Sequence, residues 1–155
     1  MSDIKTLYIN SITAALAVLF CYAAMSKLLN YEQAEQEMLN QVFPHSIALV
    51  LTWLVPSVEL IVCLLLLLKN TQYIALWAAA LLLLAFSIYI AVVMTGVFGR
   101  VPCSCGGILK NMSYATHLLF NILFMLAACS GIVWVKGWKI NKWFHFKERR
   151  HQKIG

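Results

Sequence analysis

The chain alternates long apolar runs with short polar breaks. The runs extend over approximately residues 7–28, 46–68, 72–98 and 114–135. Each reaches the roughly 20 residues that a helix, rising about 1.5 Å per residue, needs to cross the hydrocarbon of a bilayer. Lipid offers nothing to unpaired peptide groups, so each run must satisfy its own backbone. The pattern therefore predicts four transmembrane helices and no open strands. The third run is the most uniform, with Ala78–Ala80 followed by Leu81–Leu84. The first run is too long for a signal-peptide core, Ala23-Ala24-Met25 is a poor cleavage site, and the residues around Cys21 make a weak lipobox. It is expected to stay as an uncleaved helix.

The breaks carry their own patterns. Between the first two runs, Tyr31, Ala34, Met38 and Val42 recur at helical spacing, with Glu32, Glu35 and Glu37 between them. This predicts a short amphipathic helix over about 31–43, lying on the outer membrane surface and ended by Pro44. It either covers a site at the mouth of the bundle or serves as a connector. Lys69-Asn70-Thr71 has room only for a turn. The third break opens with Gly99 and holds Pro102-Cys103-Ser104-Cys105-Gly106-Gly107, a non-helical start, with Asn111 or Ser113 available to cap the last helix.

Composition strengthens the membrane reading. Of 155 residues, 62% are hydrophobic and 12% charged, with a mean hydropathy of +0.80. Soluble domains carry about 25% charged residues. One aqueous core at this size would leave too much apolar surface wet, so an all-α, polytopic four-helix bundle in a single membrane domain is expected.

Charge sets the expected orientation. The tail over 136–155 carries Lys136, Lys139, Lys142, Lys147, Arg149, Arg150 and Lys153 against Glu148. Lys5 and Lys69 fall on the same side if four helices alternate. The other side has Arg100 and Lys110, with Lys27 at its border. The positive-inside rule places both termini in the cytoplasm and the breaks at 29–45 and 99–113 outside. Trp138, Trp143, Phe144 and Phe146 are interleaved with the tail cations, as in an interfacial anchor on anionic lipid. No nucleic-acid-binding module accompanies the basic patch, so nucleic acid is not an expected partner.

The chemistry-bearing residues are few. Cys21, Cys63 and Cys129 lie inside predicted helices, where a lone cysteine packs as a small hydrophobe. Cys103 and Cys105 sit one residue apart in a Gly/Pro-rich break on the oxidising side. Two uses suit them, a reversible disulfide or metal ligation. With one intervening residue the disulfide ring is smaller than in Cys-x-x-Cys, which strains the bond and eases its reduction. That favours exchange over permanent stapling. As a soft-metal site, the same pair would recruit Met112 or His117. Ser113, His117 and Asn121 share one face of the last helix. His117 is a candidate proton relay for the cysteines or, alternatively, a hydrogen-bonded histidine that only joins helices.

Glu59 lies near the middle of the second run, where a charge is expensive and functional roles concentrate. Thr52, Pro56, Glu59 and Cys63 form one predicted inward stripe. Lys27 is the nearest cation, but counting from Lys69 puts Glu59 roughly 15 Å deeper than Lys27. Without tilt or water two extended side chains would struggle to close that gap, so the depth count weakens a direct pair and favours a protonated, hydrogen-bonded Glu59. Glu59 with Lys27, and Asn121 on the last helix, then either support the bundle or move protons.

Ala23-Ala24-Met25-Ser26-Lys27-Leu28, Pro56-Ser-Val-Glu59-Leu, the Pro102–Gly107 cysteine segment, and His117 with Asn121 together resemble the MauE/DoxX group of redox-associated four-helix membrane proteins. The resemblance spans about residues 8–135. It implies a cytoplasmic-membrane protein linked to thiol–disulfide chemistry. Its partner would be an extracytoplasmic thioredoxin-like protein or a disulfide-containing client. The MauE branch is associated with maturation of the disulfide-rich methylamine dehydrogenase small subunit, although nothing in this sequence names that client. More distantly, vitamin K epoxide reductase-like enzymes place cysteines before a fourth helix and bring in a quinone as a candidate cofactor. They use Cys-x-x-Cys and further loop cysteines. The Cys-x-Cys pair here departs from that autonomous electron relay. The reading that follows is a membrane thiol–disulfide exchange protein. The alternatives are a soft-metal handler and an accessory subunit of a larger membrane complex whose cysteines form a structural disulfide.

Overall fold

The computed structural model describes the backbone of residues 2–97 and 113–151 and the side chains of residues 4–97 and 113–135. The described residues are all-helical, in the order α1 (Ser2–Leu29), α2 (Tyr31–Leu39), α3 (His45–Leu67), α4 (Gln72–Met94) and α5 (Tyr114–His151). Four segments are long and apolar enough to cross a membrane: Ile4–Leu29, His45–Leu67, Gln72–Met94 and Tyr114–Val135. The protein is a multi-pass membrane protein in contact with the lipid bilayer. Its outward side chains fit that solvent, with Val18, Val50, Ile61, Leu64, Ile88, Leu119, Leu123 and Val133 all more than half exposed.

Sequence explains where the helices begin and end. Ser113 Oγ accepts from the Thr116 backbone N–H at 3.2 Å and so satisfies an amide that the first turn of α5 would leave orphaned. α4 stops at Met94, short of Phe98. Thr95 and Gly96 turn the chain, and Gly96 takes φ +71°, a left-handed conformation that glycine adopts without a Cβ clash. Within the spans, buried Thr13, Thr52 and Ser87 donate to the carbonyls of Ile9, Ala48 and Leu83, so their hydroxyls are satisfied inside their own helices. The predicted amphipathic helix is present but shorter, ending at Leu39.

One half of the bundle is solid. Ile9, Leu16, Phe20, Leu66, Leu76, Leu83 and Ile132 pack with Ala75, Ala79 and Ala128. Without a hydrophobic force between helices in lipid, close packing of small residues holds α4 against α5. Gly131 marks a close approach, since a Cβ there would stand 3.3 Å from both Leu76 Cδ atoms. Tyr8 tethers the start of α1 to α5 by a 3.0 Å hydrogen bond to Ser130 and a ring contact with Trp134, whose face Lys5 also covers.

α1 and α3 run antiparallel in a register fixed by side-chain pairs. Tyr31, the first residue of α2, packs against Trp53 with ring centroids 4.9 Å apart, Lys27 meets Glu59, and Cys21 lies beside Cys63. Each step back along α1 is matched by a step forward along α3.

Candidate functional site

The other half of the bundle is hollow. A cavity of about 260 Å³ lies between α1, α3, α4 and α5, beneath α2. It is lined by residues of the ends remote from the packed half: 19–27 of α1, 51–59 of α3, 83–90 of α4 and 117–121 of α5. Pro56, buried in α3 beside this space, lacks the N–H that would bond the Thr52 carbonyl, which loosens the helix there.

α2 forms the roof. Ala34, Glu37 and Met38 line the cavity, and Gln41, just past the helix, is buried at its edge. The Tyr89 hydroxyl of α4 donates to Gln41 Oε1 at 2.5 Å, and Phe43 stacks on the Tyr89 ring at 5.4 Å. The roof residues Gln41 and Phe43 were missed in the sequence because the apolar pattern pointed to Val42. Gln41 sits one turn beyond Glu37, whose carbonyl it bonds at 3.1 Å, so continued helical spacing was the available signal.

Four of the sequence-predicted polar residues line this one cavity: Lys27, Glu59, His117 and Asn121. Lys27 Nζ lies 3.0 Å from each Glu59 carboxylate oxygen and 3.0 Å from the Ala23 carbonyl. This corrects the expectation that depth keeps them apart. The earlier count assumed that neighbouring helices end level. Tyr31, the first residue of α2 and four residues past Lys27, instead packs against Trp53, eight residues inside α3, so the start of α3 overshoots the end of α1 by about 12 Å. The Cβ atoms of antiparallel helices also lean in opposite directions, which brings Lys27 and Glu59 toward each other.

The pair is electrically closed. Glu59 is 2% exposed and its side chain reaches both of its oxygens to one ammonium, whose three protons are matched by three acceptors. Opposite it, on α5, the acceptors run out. Asn121 is 5% exposed and its Nδ2 meets no hydrogen-bond partner among the described residues. His117, one turn earlier, is half-buried on the same wall. Ser113, the third member of the predicted stripe, caps the helix and does not line the cavity.

The thiols divide differently. Cys63 is buried and lies beside Cys21, a neighbour that the reading of each as a lone packing residue did not foresee. Cys129 is free on the outer face of α5. Cys103, Cys105 and Met112 lie outside the described residues. Among the described residues no group of three His, Cys, Asp or Glu side chains is placed to hold a metal ion.

The family profile described as "Methylamine utilisation protein MauE" matches residues 5–134, which covers all four spans and the cavity. The chain belongs to the MauE family. No curated protein and no solved structure matches it. In this MauE-family chain the matched region ends at Trp134, so the basic end of α5 lies beyond the profile.

Proposed function

We propose that this MauE-family protein carries out thiol–disulfide exchange at the outer face of the cytoplasmic membrane, with Cys103 and Cys105 as the reacting pair. The reaction balances between two proteins. A thiolate of the pair attacks the disulfide of an extracytoplasmic thioredoxin-like partner or client and forms a mixed disulfide. The second thiol then displaces the partner's sulfur, so two electrons and two protons pass to the partner and a Cys103–Cys105 disulfide remains. The reverse direction reduces this pair at the partner's expense. His117 serves as the acid and base that carries the protons. The ion pair of Lys27 and Glu59 holds α1 to α3 beside it.

The observation that carries the reading is the placement of the polar cavity. The chain leaves α4 at Met94 and enters α5 at Tyr114 at the hollow end of the bundle, so the segment bearing the two cysteines springs from the end where His117 and Asn121 face inward. The family description, which ties MauE to methylamine utilisation, supports a client in the maturation of a disulfide-bearing enzyme. The positive residues of the last helix support a cytoplasmic position for the opposite end.

The test is acid-quenched alkylation in cells. The wild-type pair is expected to be at least partly oxidised, and a Cys105→Ser or Cys103→Ser variant should trap a mixed disulfide that reductant releases. A pair that stays fully reduced, with both variants functional, overturns the proposal. Stoichiometric copper or zinc in the purified protein, lost in the double variant, would replace it with metal handling.

A further inference from the structure

We infer that the cavity beneath α2 binds a monovalent organic cation, an ammonium group carried on an apolar body the size of one aromatic ring. The charges of its lining, its aromatic wall and its volume lead there.

The lining holds one negative charge in excess. Lys27 and Glu59 neutralise each other, and every proton on Nζ already has an acceptor. Glu37 of α2 also lines the cavity and is partly withdrawn from solvent. Its Oε1 accepts from Gln33 Nε2 at 2.8 Å, a neutral donor, and no cation pairs with it among the described residues. With His117 neutral, the lining is therefore one positive charge short of balance. A carboxylate drawn out of water is costly until a cation meets it. The same count rejects anions and zwitterions, because no free cation remains for a second carboxylate or for the phosphate of a lipid head group.

The wall decides which cation. Phe20, Phe86 and Phe120 line the cavity together with Phe43 and Tyr89, whose rings stack at an interplanar angle of 18°. Aromatic faces attract ammonium groups, most strongly where water is excluded. A small inorganic ion instead needs several ligands in place of its water. Among the described residues no three His, Cys, Asp or Glu side chains are placed to supply them. The volume of about 260 Å³ lies just below the ~300–1,000 Å³ of drug-sized sites, which suits one ring on a short chain. Methylammonium could meet Glu37 but would leave most of the aromatic wall uncovered. Glu37 and the phenylalanines take no part in the thiol exchange proposed above, so each reading can fail without the other.

The full-length protein in micelles of an uncharged detergent would be dialysed at neutral pH against 2-phenylethylammonium, its uncharged counterpart 2-phenylethanol, the anion phenylacetate, and methylammonium. Empty micelles correct for partitioning. The aryl ammonium should bind saturably at one site per chain, about tenfold or more tighter than the alcohol, as one charge-assisted hydrogen bond allows. Phenylacetate should not bind saturably, and methylammonium should bind about tenfold or more weakly than the aryl ammonium. Glu37→Gln keeps a partner for Gln33; it should weaken the aryl ammonium by about tenfold and leave the alcohol unchanged. Phe86→Leu should weaken the aryl ammonium about fivefold, the loss of one cation–ring contact. Melting temperatures of both variants, read by circular dichroism, should match wild type. Equal affinity for the ammonium and the alcohol in the wild type overturns the inference. So does wild-type affinity for the ammonium in Glu37→Gln, or methylammonium binding as tightly as the aryl ammonium.

Discussion

The ion pair of Lys27 and Glu59 allows a quantitative test of how the bundle is held together. At 3.0 Å, with an effective dielectric of about 20, the Coulomb attraction is about 5 kcal/mol before desolvation is subtracted. Desolvation takes most of this back, because Glu59 is 2% exposed and Lys27 16%. Removing one partner therefore differs sharply from removing both. Lys27→Met leaves a buried carboxylate whose two strong donors are gone, at an expected cost of about 3–5 kcal/mol. Glu59→Leu strands the ammonium, which keeps the Ala23 carbonyl and can turn toward the open side of the cavity, so its cost should fall at the lower end of that range. The double variant replaces the pair with apolar side chains of similar length and should lie within about 1 kcal/mol of wild type or above it. A double-mutant cycle on SDS-induced unfolding, followed by far-ultraviolet circular dichroism, reads these values, and the coupling energy should be about 3 kcal/mol or more. Additive losses in the double variant would show that the two side chains act separately, and the register deduced for α1 and α3 would fall with them.

Other consequences are simpler to state. Gly131→Ala should be near neutral, because roughly 1 kcal/mol of gained helix propensity opposes a squeeze on the ends of the fully buried Leu76, whereas Gly131→Leu should cost about 1–3 kcal/mol in the same unfolding assay. Tyr89→Phe removes the 2.5 Å bond to Gln41, worth about 1 kcal/mol, so amides of α2 should exchange with deuterium roughly fivefold faster while those of α4 keep their rates. A cysteine introduced at exposed Asn40 should react with a membrane-impermeant maleimide from outside intact cells, and one introduced at exposed Lys69 only after permeabilisation. The reverse pattern would invert the topology and remove the oxidising setting from the thiol proposal.

The spans were legible because hydrophobic length is a property of the sequence alone. Leu81–Leu84 or Ile47–Leu51 needs no partner to declare a membrane helix. The polar residues of the cavity were legible for a related reason: in lipid a glutamate, a histidine or an asparagine within a span needs a protein neighbour, so Glu59, His117 and Asn121 signalled an interior before any neighbour was known. Their partners were not legible. The contact between Lys27 and Glu59 depends on how far α3 rides past α1, a property of packing that residue counting on one helix cannot reveal. The pairing of Cys21 with Cys63 and of Tyr89 with Gln41 depends on the same relative shifts, across 42 and 48 residues of chain respectively.

The division between packed and hollow halves follows from where the sequence places small and large side chains. Alanines 75, 79 and 128 and Gly131 let α4 and α5 close on each other, and Leu16, Leu66 and Leu76 fill what remains. Toward the other end those small residues give way to Phe86, Tyr89 and Phe120, which hold the helices apart, and to Pro56, which loosens α3. The ion pair stands on one wall and Asn121 on the other, and α2 is pinned across the top by Tyr89 and Phe43. Among the described residues, the looser, polar-lined end of the bundle is therefore the end where α4 stops and α5 begins.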